Sequence, residues 1–299
     1  MSGANSKIEF PEFPLLDLED CFLNPAPALD MVLPGLLNGT VGSIVAPGAT
    51  GKSWLALELA LNLAAGVDML GFGVQKQGRT LILTAEDPAS VIHQRFNALG
   101  EKLTGEEVKN AIKNIFVTPT LGMRGNDFLN GNMSERLIKL AGELGNMRLI
   151  IIDTLSQFFS GEINDRKDAA KCMREFEYVA QKLNCALIFT NHVSKSSAQL
   201  GEVGSQQSSK GSGVWVDEAR WVAFLQTCTS DEAKKILFVE EEMRKNFVRF
   251  GLSKANYIAT QPDIWLKRGV GGLLEPANPS LKKNNYSTVK NGGNDDEFY

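Results

Sequence analysis

Along most of the chain, short apolar runs broken by glycine-rich or polar turns alternate with longer segments of helical spacing. Thr40–Ala46 (TVGSIVA) is an apolar run leading into a glycine-rich turn, which predicts a buried strand. Lys52–Ala65 (KSWLALELALNLAA) has helical spacing and no breaker, and Gly66 ends it. Arg79–Ala85 (RTLILTA) predicts a second buried strand; Pro88 follows it, and Ala89–Leu99 predicts a helix closed by Gly100. Ile115–Thr118 reads as a brief strand and Ser134–Leu144 as a helix. Arg148–Asp153 (RLIIID) predicts a buried strand ending in a carboxylate, Asp168–Leu183 a helix, and Ala186–Thr190 (ALIFT) a strand running into Asn191 and His192. Ser194–Gly213 is polar and rich in Gly, Ser and Gln, the pattern of a mobile loop. Arg220–Gln226, Phe247–Ser253 and Ile264–Lys267 read as strands of a hairpin-rich C-terminal part.

Strands alternating with helices imply an α/β fold, a mostly parallel central sheet flanked by helices on both faces, here with a C-terminal β-hairpin-rich extension. Residues 1–28, with Pro11, Pro14, Pro25 and Pro27, read as an extended N-terminal arm; 29–276 read as one α/β domain; 277–299, polar with Asn, Lys and Gly, read as a disordered tail. With 299 residues, 43% of them hydrophobic, the chain can bury a sizeable core. A net charge of −4 and a pI near 5.4 do not advertise nucleic acid, although net charge cannot see a local patch or a pore lined by several copies of one loop. Cys21, Cys172, Cys185 and Cys228 form no CxxC pair and read as reduced thiols of a cytoplasmic protein. Glu9, Glu12 and Asp17 precede any long apolar run, which argues against a signal peptide, and no apolar stretch has the length of a membrane span. With His93 and His192 as its two histidines, the chain has no histidine-rich metal site.

The sharpest chemistry lies at Ala46-Pro47-Gly48-Ala49-Thr50-Gly51-Lys52-Ser53, which departs from GxxxxGK[ST] only in its first residue, Ala for Gly. It follows a predicted strand and opens a predicted helix, the context the motif requires. Gly48 and Gly51 let the backbone curl so that its N–H groups point inward, and the helix N-terminus adds partial positive charge. Lys52 is placed to set an ammonium on the outer phosphates of ATP, and Ser53 to bring a hydroxyl to Mg2+. Asp153, at the end of the apolar run Leu149–Ile152, suits the same ion, directly or through water.

Glu86 ends the second strand at the same edge of a parallel sheet. It is placed to orient the water that attacks the γ-phosphate, or to act as a helix N-terminal carboxylate, a task Asp87 can also take. Many phosphate-loop proteins carry the activating Glu directly after the magnesium Asp; here Thr154 follows Asp153. His192 closes the next strand, either as a γ-phosphate sensor or as a hydrogen-bonded core residue.

The ordered set PALDMVLPGLLNGTVGSIVAPGATGKS, LILTAEDPASVIHQRFNALG, LIIIDTLSQF, IFTNHVSK, SSKGSGVWVDEARWVAFL and VRFGLSKANY resembles the RepA replicative helicases of broad-host-range IncQ plasmids, RecA-like hexameric rings related to the DnaB type. The resemblance covers residues 24–275 and implies a RecA-like ATPase/helicase domain over 29–276. It implies catalytic roles for Lys52, Glu86 and His192, magnesium binding by Ser53 and Asp153, and an arginine, Arg220, that reaches into a neighbouring subunit's site. Lys254 falls where related rings carry a Lys-x-Arg pair that serves the neighbour's phosphates, but the third residue here is Asn256, so Arg220 is the better finger candidate. Apart from the resemblance, Arg220 in DEARW reads as a strand residue pairing with Asp217 or Glu218.

The resemblance further implies a homo-hexamer that moves 5′–3′ on single-stranded DNA and works with a separate primase or initiator protein, with no membrane partner. The strand would be gripped by Arg166 and Lys167 in the loop 158–168 and by Lys195 and Lys210 in the loop 194–213, through phosphate contacts indifferent to sequence. Composition alone describes both loops as solvated surface. The competing reading is a RecA-like ATPase without motor activity, a regulator or loader that uses ATP as an assembly switch; stimulation by single-stranded DNA discriminates the two.

Overall fold

The computed structural model of the chain describes residues 13–74, 76–192, 213–259 and 261–277. It divides into two units, Met1–Asp30 and Met31–Tyr299. In the first, Leu18–Leu23 forms a short helix, α1, where the proline-rich composition reads as extended; Asp17 caps it by accepting from the N–H groups of Glu19 and Asp20.

The second unit is built on a nine-stranded sheet. Met31–Leu33 (β1) and Leu36–Leu37 (β2) form a separate small hairpin. The sheet strands are Val41–Ala46 (β3), Arg79–Thr84 (β4), Ile115–Pro119 (β5), Met147–Asp153 (β6), Ala186–His192 (β7), Trp221–Thr227 (β8), Phe247–Ala255 (β9), Ile264–Arg268 (β10) and Leu274–Pro276 (β11). Their order is β11-β10-β9-β8-β3-β7-β6-β4-β5. From β8 to β5 every pairing is parallel; β9, β10 and β11 are added antiparallel. The C-terminal extension therefore continues the same sheet instead of standing apart from it.

Alternate residues of the parallel strands feed two cores, as a period of two requires. On β3, Val41 and Val45 join one core while Ile44 and Ala46 join the other. The first core is closed by the helices Met133–Leu144 (α5), Arg166–Leu183 (α6) and Gly213–Glu218 (α7). The second is closed by Lys52–Ala65 (α2), with Ala89–Gly100 (α3) and Gly105–Asn114 (α4) outside it. Every residue of α2 except Ser53 is buried, so this helix is enclosed all round.

The expected strands and helices appear within a residue or two of their predicted ends. Two helices escape the apolar pattern. α4 is short and mostly polar, with Ala111 its one buried residue, and Thr104 and Glu107 form a capping box that marks its start. Gly213, expected to close a loop, begins α7. Residues 193–212, with Lys195 and Lys210, and the tail beyond Ala277 lie outside the described residues. All four cysteines are free, and among the described residues no helix is long and apolar enough to cross a membrane.

Candidate nucleotide site

The parallel strands β3, β4, β6 and β7 all end at one edge of the sheet, and the sequence-selected residues Lys52, Glu86, Asp153 and His192 meet there. Between Ala46 and Lys52 the chain turns through two left-handed residues, Ala49 (φ 60) and Gly51 (φ 104). The second is open to glycine at no steric cost; Ala49 is held in a conformation L-residues rarely adopt. Thr50 Oγ1 donates to the Pro47 carbonyl (2.8 Å) and tightens the turn. A Cβ at Gly48 would meet nothing within 4 Å, so the loop is open on that side. No side chain caps α2 at Gly51, which leaves its first N–H groups to an anion. Ala46, where the motif has Gly, is fully buried at the end of β3 and pairs in register with His192 of β7.

Lys52 as a residue is 5% exposed, and its ammonium reaches the end of β7. The ammonium lies 3.1 Å from His192 Nε2 and 3.3 Å from Nδ1, and His192 Nε2 in turn lies 3.6 Å from Glu86 Oε1. Burial lowers the pKa of Lys52 below the ordinary lysine value, opposed by the nearby carboxylates of Asp153 and Glu86. Asp153, nearly buried, accepts at Oδ1 from Thr190 Oγ1 (2.6 Å), and Thr154 Oγ1 donates to the Thr190 carbonyl (3.1 Å). Asp87, the neighbour of Glu86, is paired with Arg95 at 2.8 Å. That pairing separates the adjacent carboxylates: Asp87 is tied to α3, while Glu86 faces His192.

These residues fit ATP with Mg2+. The loop supplies unpaired N–H groups and a buried cation, and Ser53 and Asp153 offer a hydroxyl and a carboxylate at the same edge, the oxygen donors Mg2+ prefers.

Two contributors have no sequence motif. Thr190, a polar residue inside an apolar strand, fixes the Asp153 carboxylate. Arg268, the last residue of β10, donates from its guanidinium to the carbonyls of Ala49 (3.2 Å) and Thr50 (2.7 Å), and its Nε is buried without a partner. Burial lowers its pKa. Only the antiparallel register of β10 on β9 carries Arg268 to this edge.

Arg220 and Lys254 lie elsewhere. Arg220 immediately precedes β8, and its N–H donates to the Val41 carbonyl, at the sheet edge away from the phosphate loop. Lys254 pairs in register with Val222 at that same edge and donates to the carbonyls of Asp217 (2.6 Å) and Val216 (3.3 Å) at the end of α7. Burial, and then the charge of Arg220, lower the pKa of Lys254. The length of β3 separates this basic pair from Lys52 of the same chain, about 20 Å. Arg220 is exposed and, among the described residues, forms no ion pair with Asp217 or Glu218. Arg166 and Lys167 are exposed in the first turn of α6, where Asp165 accepts from the Lys167 N–H. Phe158 and Phe159 are buried, so the start of the loop 158–168 is anchored in the core.

A family model described as an AAA domain matches residues 9–198. The chain belongs to the AAA domain family. Solved structures similar to this AAA domain cover about four-fifths of the chain. One of them, itself an ATPase domain, superposes with a TM-score of 0.56 at 16% identity, over 81% of this chain and 85% of that one. The RadB recombinase gives 0.52 at 13%, over 81% and 93%. A DnaB-like replicative helicase, solved with attention to its interactions with primase, gives 0.55 at 17%, over 78% of this chain and 56% of that one. At such identities the likeness is one of fold: the AAA domain here has the RecA-like phosphate-loop architecture.

Proposed function

We propose that this AAA domain protein is an ATP-driven replicative DNA helicase of the RepA type found on IncQ plasmids, a hexameric ring that moves 5′–3′ along single-stranded DNA. The observation that carries the reading is the division of charged residues between the two sheet edges. Lys52, Glu86, Asp153 and His192 converge at one edge, while the exposed Arg220 and its neighbour Lys254 stand at the other, out of reach of their own phosphate loop. A second copy presenting that far edge to the phosphate loop would add the missing cation.

In this reading Gly48, Gly51 and the first turn of α2 bind the phosphates through backbone N–H groups, and Lys52 neutralises their charge. Ser53 and Asp153 hold Mg2+, which when bound offsets the negative charge of the outer phosphates. Glu86 orients the attacking water and accepts its proton. His192, within reach of both Lys52 and Glu86, senses whether the γ-phosphate is present and passes its state to the segment that follows β7. Arg220 of the neighbour stabilises charge developing in the transition state, so assembly switches hydrolysis on. Arg166, Lys167, Lys195 and Lys210 are assigned to the DNA strand, and a primase or initiator protein is assigned as partner.

A forked duplex tests the proposal. ATP-dependent strand separation is expected, with hydrolysis rising on addition of single-stranded DNA. Hydrolysis indifferent to DNA, with no unwinding, replaces the motor with an ATPase that uses nucleotide as an assembly switch.

A further inference from the structure

Trp215, in α7, is fully buried between a strand of the nucleotide edge and the loop 158–168. Phe189 of β7 meets its ring edge to face with centroids 5.7 Å apart, and Phe159, at the start of the loop, does so at 5.1 Å. The indole Nε1–H donates to the Ile163 carbonyl in the same loop (2.9 Å). A buried indole N–H needs an acceptor, and here the loop backbone supplies it, not a neighbour in α7.

The Phe189 side of this contact leads to the magnesium carboxylate. Phe189 precedes Thr190, whose hydroxyl donates to Asp153 Oδ1 (2.6 Å), and it pairs in register with Ile152, the residue before Asp153. On the other side the loop is packed around the tryptophan. Phe159 is buried and Ile163 half-buried, while Glu162, Asn164 and Asp165 are exposed. A Cβ at Gly161 would lie 2.7 Å from the Phe159 ring and 2.8 Å from an Asp168 carboxylate oxygen, so a side chain there would force the loop open. Asp127 pins Ser160, accepting from its N–H (3.2 Å) and from its hydroxyl (2.7 Å). The bond from Trp215 falls beyond Ser160, nearer to Arg166 and Lys167. Lys254 holds α7 in turn, through the Val216 and Asp217 carbonyls.

We infer that Trp215 is a positioning residue that couples the magnesium end of the nucleotide site to the loop 158–168. A shift of Asp153 on nucleotide binding moves Thr190 and Phe189. The close-packed core passes that movement to Trp215 instead of absorbing it. The Nε1 bond then sets the path of Ile163 and, further along, of Arg166 and Lys167. This deepens the helicase reading and rests on it for the contact of the loop with DNA.

The test uses the full chain with and without a non-hydrolysable ATP analogue and Mg2+. Hydrogen exchange is followed by mass on peptides spanning 158–165. In the unaltered protein the analogue should slow exchange there. Trp215→Phe keeps an aromatic ring and removes the Nε1–H. It should speed exchange of 158–165 by about two- to ten-fold, the size of one lost hydrogen bond, and remove most of the response to the analogue. Basal ATP hydrolysis should be unchanged, which also reports that the variant folds. Phe159→Leu breaks the same contact from the loop side and should act likewise. Trp221→Phe is the control: Trp221 is equally buried and donates to the Pro34 carbonyl (3.0 Å), but it lies in the other core. Its response to the analogue should match that of the unaltered protein. No response at 158–165 in the unaltered protein, an undiminished response in Trp215→Phe and Phe159→Leu, or an equal loss in Trp221→Phe overturns the inference. Single-stranded DNA separates the coupling from the motor. Stimulated hydrolysis in the unaltered protein that is lost in Trp215→Phe supports both. No stimulation in either, with the exchange response still lost in Trp215→Phe, removes the motor and keeps the coupling.

Discussion

The Lys52 ammonium lies 3.1 Å from His192 Nε2, and the same ring nitrogen lies 3.6 Å from Glu86 Oε1. One imidazole thus stands between the buried cation of the phosphate loop and the carboxylate proposed to activate water. Lys52→Ala removes the cation that both Glu86 and Asp153 face, and leaves the phosphates without their ammonium. Hydrolysis should fall to background, with ATP affinity reduced by at least about ten-fold, as expected for a lost charge-assisted contact. Steady-state turnover and titration of a fluorescent ATP analogue measure the two effects, and near-normal turnover removes Lys52 from the site.

Glu86→Gln should still bind ATP within a few-fold of the unaltered protein while turnover drops by about 10²–10⁴-fold, the range for loss of a general base. Asp87→Asn breaks the pair with Arg95 at 2.8 Å and should disturb α3 more than the chemistry. The opposite ranking of the two variants in a phosphate-release assay reverses the assignment of these adjacent carboxylates.

Arg268→Ala deprives the Ala49 and Thr50 carbonyls of their donor, next to a residue held at positive φ. The loop then loses its fixed shape before ATP arrives. KM for ATP should rise about ten-fold, with a smaller change in kcat. Arg268→Lys should restore part of the loss, since an ammonium can still reach one carbonyl. Unchanged KM in the alanine variant makes Arg268 a bystander.

Arg220→Ala should fold and bind ATP yet lose about 10³–10⁵-fold in hydrolysis if it acts as an arginine finger. Mixing it with Glu86→Gln should recover part of the activity, because some interfaces then join an intact Glu86 to an intact Arg220. No recovery, in a mixture shown by mass to contain mixed assemblies, argues against a role in trans.

Glu58 is fully buried in α2, where Oε1 accepts from the Leu274 N–H (2.8 Å) and Oε2 has no partner. Burial raises its pKa to about 8; the Leu274 N–H opposes this, and the nearby charge of Glu275 adds to it. The folded value exceeds the unfolded one of about 4.5, so folding takes up a proton between them. The stability Glu58 contributes is full below pH ~4.5 and is lost as pH rises toward ~8, at about 1.4 kcal/mol per pH unit. Glu58→Gln should flatten that slope and be the more stable protein above pH ~8. Chemical denaturation across this range measures it, and parallel stability profiles reject the assignment.

The strands that carry the site were legible because each is a short apolar run ending in a polar residue or a turn: Ala46 before the loop, Glu86 after Thr84 and Ala85, Asp153 after Ile152, His192 after Asn191. Such runs must be buried, and their polar ends must lie at the sheet edge. Local sequence therefore sets both the elements and the residues placed at their ends. The loop glycines were equally legible, because Gly51 needs a left-handed turn at the start of a helix.

Sequence alone could not decide what depends on pairing across long stretches of chain. That β7 lies between β3 and β6, so that His192 stands beside Ala46 and Thr190 reaches Asp153, is a matter of strand order. Arg268 joins the phosphate loop only through the antiparallel addition of β9 and β10, far along the chain from Thr50. Apolar periodicity reports which face of an element is buried. Register and strand order are fixed by the packing of the whole sheet, and they select which of the distant polar residues come to share a site.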